Sequence, residues 1–276
     1  MPRRVRHVVI TGASRGIGLA VAQLFARSTY RCTLIARSEN GLKSAVAALE
    51  RDSPLDSGVG HSYIAGDIAS SAQPFWSSTF TARWPRPPPS DPHHPSRIDV
   101  LVNCAGVSQA SLLVRTPDED VEQIINLNLT ALIKGSKFLL RQGYIRGGGG
   151  GGARQASEQD MDDAHSSPVI VNVASLLGLR GGFGATSYAA SKAGVLGFTR
   201  ALASEYSSHR VRVNAVVPGY ISTDMTSSLD AAELCARIPL GRFGTAEEVA
   251  RAVLFLAEME YAHNCVVNLD GGLSAV

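Results

Sequence analysis

A glycine run set between a β-branched segment and a helical one constrains this chain most. Thr11-Gly12-Ala13-Ser14-Arg15-Gly16-Ile17-Gly18 follows the apolar run His7–Thr11 and opens the helical pattern Gly16–Arg27. A strand that enters a helix through such a turn starts a parallel sheet. Gly12 permits the tight turn, Gly16 lets backbone approach a pyrophosphate, and Gly18 lets helix and strand pack closely. The free amides of the helix N-terminus then face phosphate oxygens. The spacing is Gly-x-x-x-Gly-x-Gly. On this motif alone, a glycine-rich turn without a nucleotide stays open as a reading.

The rest of the chain repeats the alternation. Candidate strands are His7–Thr11, Arg31–Ala36, His61–Ala65, Ile98–Asn103, Val169–Ala174, Val211–Val217 and Cys265–Leu269. Helical patterns lie near Gly16–Arg27, Asn40–Arg51, Ser71–Trp84, Pro117–Arg141, Tyr188–Ser207 and Ala246–Met259. This order predicts an α/β fold: one Rossmann-like, doubly wound, seven-stranded parallel sheet with helices on both faces, spanning residues 1–276. Two insertions break it, the proline-rich residues 85–96 and the glycine-rich and polar residues 146–167, both expected to be flexible. Each precedes a strand, which puts it at the N-terminal edge of the sheet, away from the carboxyl edge where ligands bind. His93 and His94 have no partner at ligand spacing and read as loop, so no metal site is expected.

A formal net charge of +2 over 276 residues gives no reason to expect a nucleic-acid surface. No stretch reaches the roughly 18 apolar residues of a membrane span. Cys32, Cys104, Cys235 and Cys265 form no Cys-x-x-Cys, which points to a reducing compartment, cytoplasm or mitochondrial matrix. The basic tip before Val8 reads as a solvated terminus rather than a presequence.

At the end of the second strand an acidic residue would favour a ribose 2′-hydroxyl. Instead Arg37 is placed to meet a 2′-phosphate, with Arg15 approaching from the glycine turn, which selects NADP(H). Arg37 as a solvated strand-end charge is the alternative, and Glu39 lies close by. Asp67 and Ile68 follow the third strand, placed to contact adenine. Asn103, Ala105 and Gly106 follow the fourth, placed to pass under the adenosine ribose.

The catalytic signal is Tyr188 and Lys192, four residues apart and so on one helix face. A nearby cation favours a phenolate. A tuned phenol can exchange a proton with a carbonyl or alcohol oxygen. Ser175 ends the fifth strand and can converge with Tyr188 on one oxygen. Asn128 lies on the long helix between.

These motifs, with Pro218-Gly219-Tyr220-Ile221-Ser222-Thr223-Asp224, resemble the short-chain dehydrogenase/reductase family over nearly the whole chain outside the insertions. The resemblance implies Tyr188 as general acid/base and Ser175 as the group that polarises the carbonyl. Lys192 would hold the nicotinamide ribose, and Asn128 a proton-relaying water, with Asn126 the competing asparagine. Pro218 and Gly219 would line the cofactor, Ile221 would meet its carboxamide, and Thr223 would lie near its phosphates or nicotinamide. Within the family, Leu112–Thr116, Ile238–Gly244 and Asp270-Gly271-Gly272 resemble 3-oxoacyl-[acyl-carrier-protein] reductases and related carbonyl reductases. That implies reduction of a 3-oxoacyl thioester in fatty-acid synthesis, acyl carrier protein as partner, and a homotetramer or a hetero-oligomer with a related chain. A ketone or quinone reductase is the alternative, and a nucleotide-binding scaffold without turnover the non-enzymatic one. Cys104 replaces a usual Asn, and His263-Asn264 a usual Thr-Gly near a customary subunit interface.

Overall fold

The computed structural model describes residues 5–55, 60–88, 91, 94–147 and 167–276. Seven strands form one parallel sheet: β1 (His7–Thr11), β2 (Arg31–Ala36), β3 (Ser62–Ala65), β4 (Val100–Asn103), β5 (Val169–Val173), β6 (Arg212–Pro218) and β7 (Val266–Leu269). Their order is β3-β2-β1-β4-β5-β6-β7, so the winding reverses between β1 and β4. That reversal opens the crevice in which ligands of such sheets sit.

Alternation of side chains assigns the two faces of the sheet. Val8, Ile10, Val100, Val102, Val169 and Val171 pack with helices α1 (Gly16–Arg27) and α2 (Glu39–Asp52). Val9, Leu101 and Ile170 pack on the other face with the helix that follows β4. That helix is continuous but not uniform. It runs as α3 (Asp118–Ile125), a π turn (Asn126–Thr130) and α4 (Ala131–Arg141). Four more helices complete the layers: α5 (Leu177–Arg180), α6 (Thr186–Tyr206), α7 (Ala231–Arg237) and α8 (Ala246–Glu258).

The strands fall within one or two residues of expectation. The helix expected over Ser71–Trp84 does not form as such. A π turn (Trp76–Phe80) and a single helical turn (Thr81–Arg83) take its place. Pro74 cannot supply an amide to a helix begun at Ser71. Phe75, Trp76 and Phe80 are instead drawn into the core, Trp76 so close to α4 that a Cβ on Gly135 would lie 2.7 Å from its ring.

Both insertions start at the N-terminal edge. Arg86 Nε donates to the Gln142 carbonyl at 3.0 Å, and Trp84 packs 5.1 Å from His7, the first residue of β1. Gly147 abuts the His209 carbonyl, just ahead of β6. Most of residues 146–167, and His93, lie outside the described residues.

His263 and Asn264 keep the turn into β7. Asn264 takes a left-handed φ of 58°, which asparagine tolerates. His263 Nδ1 accepts the Val213 N–H at 3.2 Å, and Nε2 donates to the Ala203 carbonyl at 3.0 Å. The ring therefore ties β6 to α6.

Candidate active site

Gly12 and Gly16 hold φ values of 71° and 56°, the left-handed region that glycine adopts without strain. A Cβ on Gly12 would lie 2.8 Å from the Ala105 Cα, and one on Gly18 would collide with the Gly12 carbonyl. Thr11 Oγ1 fastens the two strand ends together, accepting the amides of Cys104 and Ala105 at 3.1 and 3.2 Å. Cys104 thus meets this end through its backbone. Burial pushes its thiol up to about 11, against the opposing pull of Lys192. Helix α1 has no side-chain cap and no acidic residue in its first turn. Its leading amides suit an anion, which fits a pyrophosphate. Ile17 packs against the core, and Ser14 faces Gly41, whose Cβ would lie 3.2 Å from that of Ser14.

At the end of β2, Arg37 lines a cavity of about 370 Å³ with Asp67, Ala69, Glu119, Glu122, Gln123, Asn126 and Leu127. Glu39 is turned away from it. Its carboxylate pairs with Lys43 at 2.9 Å and accepts from the Tyr63 hydroxyl at 3.4 Å. The exposed Arg15 guanidinium lies 3.6 Å from the Asp224 carboxylate. Asp67 Oδ1 accepts its own loop's Ala69 N–H at 2.9 Å, while Ile68 packs on the core. Asn103 is also turned inward. Its Nδ2 donates to Ser136 Oγ at 3.2 Å and Asn172 Oδ1 at 2.9 Å.

The second group gathers beyond β4 and β5. Lys192 is 5 % exposed, and its Nζ donates to the Val173 carbonyl at 2.8 Å. The same Nζ lies 5.8 Å from the centre of the Tyr188 ring. Asn128 is fully buried in the π turn. Its Oδ1 accepts the Val107 N–H at 2.9 Å, and its Nδ2 donates to the Val107 carbonyl at 3.0 Å and Ser191 Oγ at 3.1 Å. One acceptor lone pair remains on that Oδ1. Gly106 separates Asn128 from Lys192: a Cβ there would lie 3.1 Å from Asn128 Oδ1 and 3.6 Å from Lys192 Nζ. Asn126 points elsewhere and donates to the Ala69 carbonyl at 3.0 Å. A π turn inside an α-helix is a frequent mark of a functional site.

Ser175 ends β5, nearly buried, and its Oγ accepts the Leu177 N–H at 3.2 Å. The turn it opens is pressed onto α6, since a Cβ on Gly178 would lie 2.6 Å from the carbonyl carbon of Lys192. Gly178→Val should therefore push the Ser175 turn off α6 at a cost of about 1–3 kcal/mol. Thermal unfolding with kcat checks this, and an unchanged melting midpoint contradicts it.

Pro218 and Gly219 carry β6 into the segment that reaches the glycine turn. Ile221 bridges Gly244, and a Cβ on Gly16 would lie 3.7 Å from the Thr223 methyl, so this segment caps the glycine turn. Residues 6–234 match the short chain dehydrogenase family. The chain belongs to that family. Among its relatives, a 3-oxoacyl-[acyl-carrier-protein] reductase from Homo sapiens is 38% identical over 267 residues, 97% of each chain. A carbonyl reductase family member 4 from Xenopus laevis is 36% identical over 266 residues, 96% of each. A proposed NAD(P)-dependent gluconate 5-dehydrogenase from Beutenbergia cavernae, solved with NADP bound at low occupancy, superposes with a TM-score of 0.77. It is 31% identical, covering 98% of this chain and 97% of that one. The present chain is, with its family, an oxidoreductase.

In this short chain dehydrogenase the closing segment hangs on the start of α8. Glu248 Oε1 and Oε2 accept from Arg242 at 2.7 and 3.0 Å, and Oε2 also accepts the Thr245 N–H at 2.8 Å. These bonds hold its carboxyl at about 2, below the ordinary 4.5. A depressed carboxylate contributes stability present above its unfolded value and lost as pH falls through the folded one. Glu248→Gln should thus lower the melting midpoint slightly at pH 7, because the pair is exposed and screened. The gap should close as pH falls from 4.5 to about 2. A gap that persists at the acid end contradicts it.

Beyond Thr223, helix α7 is capped by Asp230, whose Oδ1 accepts two first-turn amides. Gln109 contacts the start of α6, and no local pattern announces it. Among the described residues, no three His, Cys, Asp or Glu side chains form a metal site, and no helix is long and apolar enough to cross a membrane.

Proposed function

We propose that this protein is an NADPH-dependent reductase of 3-oxoacyl thioesters, acting as one catalytic unit over residues 1–276. The observation that carries the reading is Lys192 Nζ 5.8 Å from the centre of the Tyr188 ring, with Gly106 packed between Lys192 and Asn128 and the turn after Ser175 packed on the Lys192 backbone. The glycine turn, the open amides of α1 and the Ala105-Gly106 backbone fit a dinucleotide, with Arg37 beside its 2′-phosphate. Asp67, Ile68, Pro218, Gly219, Ile221 and Thr223 would complete the cleft. When bound there, the nicotinamide would supply a hydride for the substrate's β-carbon.

The chain's own groups then do the rest. The Tyr188 hydroxyl gives its proton to the carbonyl oxygen as charge develops there. Ser175 Oγ donates a second hydrogen bond to the same oxygen and fixes its place. Lys192, anchored on the Val173 carbonyl, keeps its ammonium near the phenol ring and would hold the nicotinamide ribose. Asn128 offers its remaining lone pair to a water that returns a proton toward Lys192.

The thioester substrate is favoured by the likeness to a 3-oxoacyl-[acyl-carrier-protein] reductase across almost the full length of both chains. Acyl carrier protein as partner, a role in fatty-acid synthesis, a homotetramer or hetero-oligomer and a reducing compartment belong to the same reading. Purified protein should oxidise NADPH with acetoacetyl thioester, and faster when the acyl group rides on carrier protein. Turnover of a diketone or quinone alone would move the protein to carbonyl detoxification, and turnover of none would overturn the proposal.

A further inference from the structure

Helix α6, which carries Tyr188, has no cap of its own. Ala185 precedes it and offers no side-chain acceptor, yet the first amides of a helix need partners. Gln109 supplies one from a distant loop. Its Oε1 accepts the Ser187 N–H at 2.8 Å and the Tyr188 N–H at 3.2 Å. These are the second and third helical residues, the amides an N-cap side chain serves. On the same carboxamide, Nε2 donates to the Ser111 carbonyl at 3.2 Å and to Thr116 Oγ1 at 3.0 Å. All four hydrogen-bonding positions are thus occupied. The partners also fix the orientation, because amides require the oxygen and the Ser111 carbonyl requires the nitrogen.

The loop that holds Gln109 is bonded at both ends to the site. Its first residue, Val107, exchanges two hydrogen bonds with the Asn128 side chain, at 2.9 and 3.0 Å. Further along, the Ser111 N–H donates to the Gly184 carbonyl at 3.0 Å, just ahead of α6. Among the described residues, Gln109 is the side chain that accepts the Tyr188 N–H.

We infer that Gln109 is a positioning residue for Tyr188: a helix cap supplied by another segment, which fixes the first turn of α6 and with it the direction of the phenol. The inference rests on the catalytic reading of Tyr188 given above. A displacement of about 1 Å in a reacting group can cost on the order of 100-fold in rate.

Two variants test it. Gln109→Met keeps the length and removes every polar atom, while Gln109→Glu keeps an acceptor oxygen for the amides. The readouts are kcat and KM for the thioester, the NADPH dissociation constant, and amide hydrogen exchange across Ser187 and Tyr188. Gln109→Met should lower kcat about 10- to 100-fold. NADPH affinity should stay within about twofold, and exchange at the two amides should accelerate. Gln109→Glu sets a carboxylate oxygen against the Ser111 carbonyl, so it should recover only part of kcat while restoring protection of the two amides. An unchanged kcat in Gln109→Met, unchanged exchange in it, or a Glu variant whose two amides exchange as fast as those of Met would each overturn the inference. If the parent protein reduces no carbonyl, the catalytic reading fails by itself, and the exchange comparison still decides whether Gln109 caps the helix.

Discussion

Tyr188→Phe is expected to lower turnover by about 10²- to 10⁴-fold, the range of a lost general acid, while NADPH still binds. The change removes one oxygen and keeps the ring. The ring's neighbours therefore stay in place: Lys192 Nζ 5.8 Å from its centre, and the helix start held by Gln109. Lys192 keeps its bond to the Val173 carbonyl, so the cation remains near the ribose position. What is lost is the proton for the developing alkoxide, since in this reading Ser175 supplies that oxygen a hydrogen bond and Tyr188 the proton. Steady-state kinetics beside a fluorescence titration of NADPH separates the two effects. A variant retaining more than about a tenth of the parent rate would remove Tyr188 from the role of proton donor.

Arg37→Asp should shift cofactor preference toward NADH. Arg37 lines the cavity at the end of β2, whereas the other candidate charges are engaged elsewhere, Glu39 with Lys43 and Arg15 with Asp224. A lost charge-assisted hydrogen bond costs about 1.5–3 kcal/mol. The ratio of kcat/KM for NADPH over NADH should therefore fall by about 10- to 150-fold, before any repulsion between the new carboxylate and the 2′-phosphate. An unchanged ratio would mean that the phosphate is read by other groups, Arg15 first among them once it leaves Asp224.

The sheet was legible because its strands are short β-branched runs buried on both faces, a pattern that local sequence carries. The glycine turn was legible for a similar reason: its positive φ values and its close approach to Ala105 demand residues without a Cβ. What was not legible depends on distant partners. The Asn103 side chain bonds Ser136 and Asn172 on neighbouring elements, partners that no local pattern names. The carboxylate that Arg15 faces, Asp224, lies in a segment some 200 residues later in the chain. The segment after Ser71 was misjudged because aromatic burial outweighed helical spacing there. Asn128 and Asn126 could be ranked only by the family's spacing until the π turn aimed one at Val107 and Ser191 and the other at Ala69.

The most direct measurement follows deuterium from NADPH labelled at nicotinamide C4 during turnover of acetoacetyl thioester. The account predicts that one prochiral label appears on the carbinol carbon of a 3-hydroxyacyl product, and that the transfer is lost in Tyr188→Phe. NADPH left unconsumed, or consumed without label in the product, would contradict it.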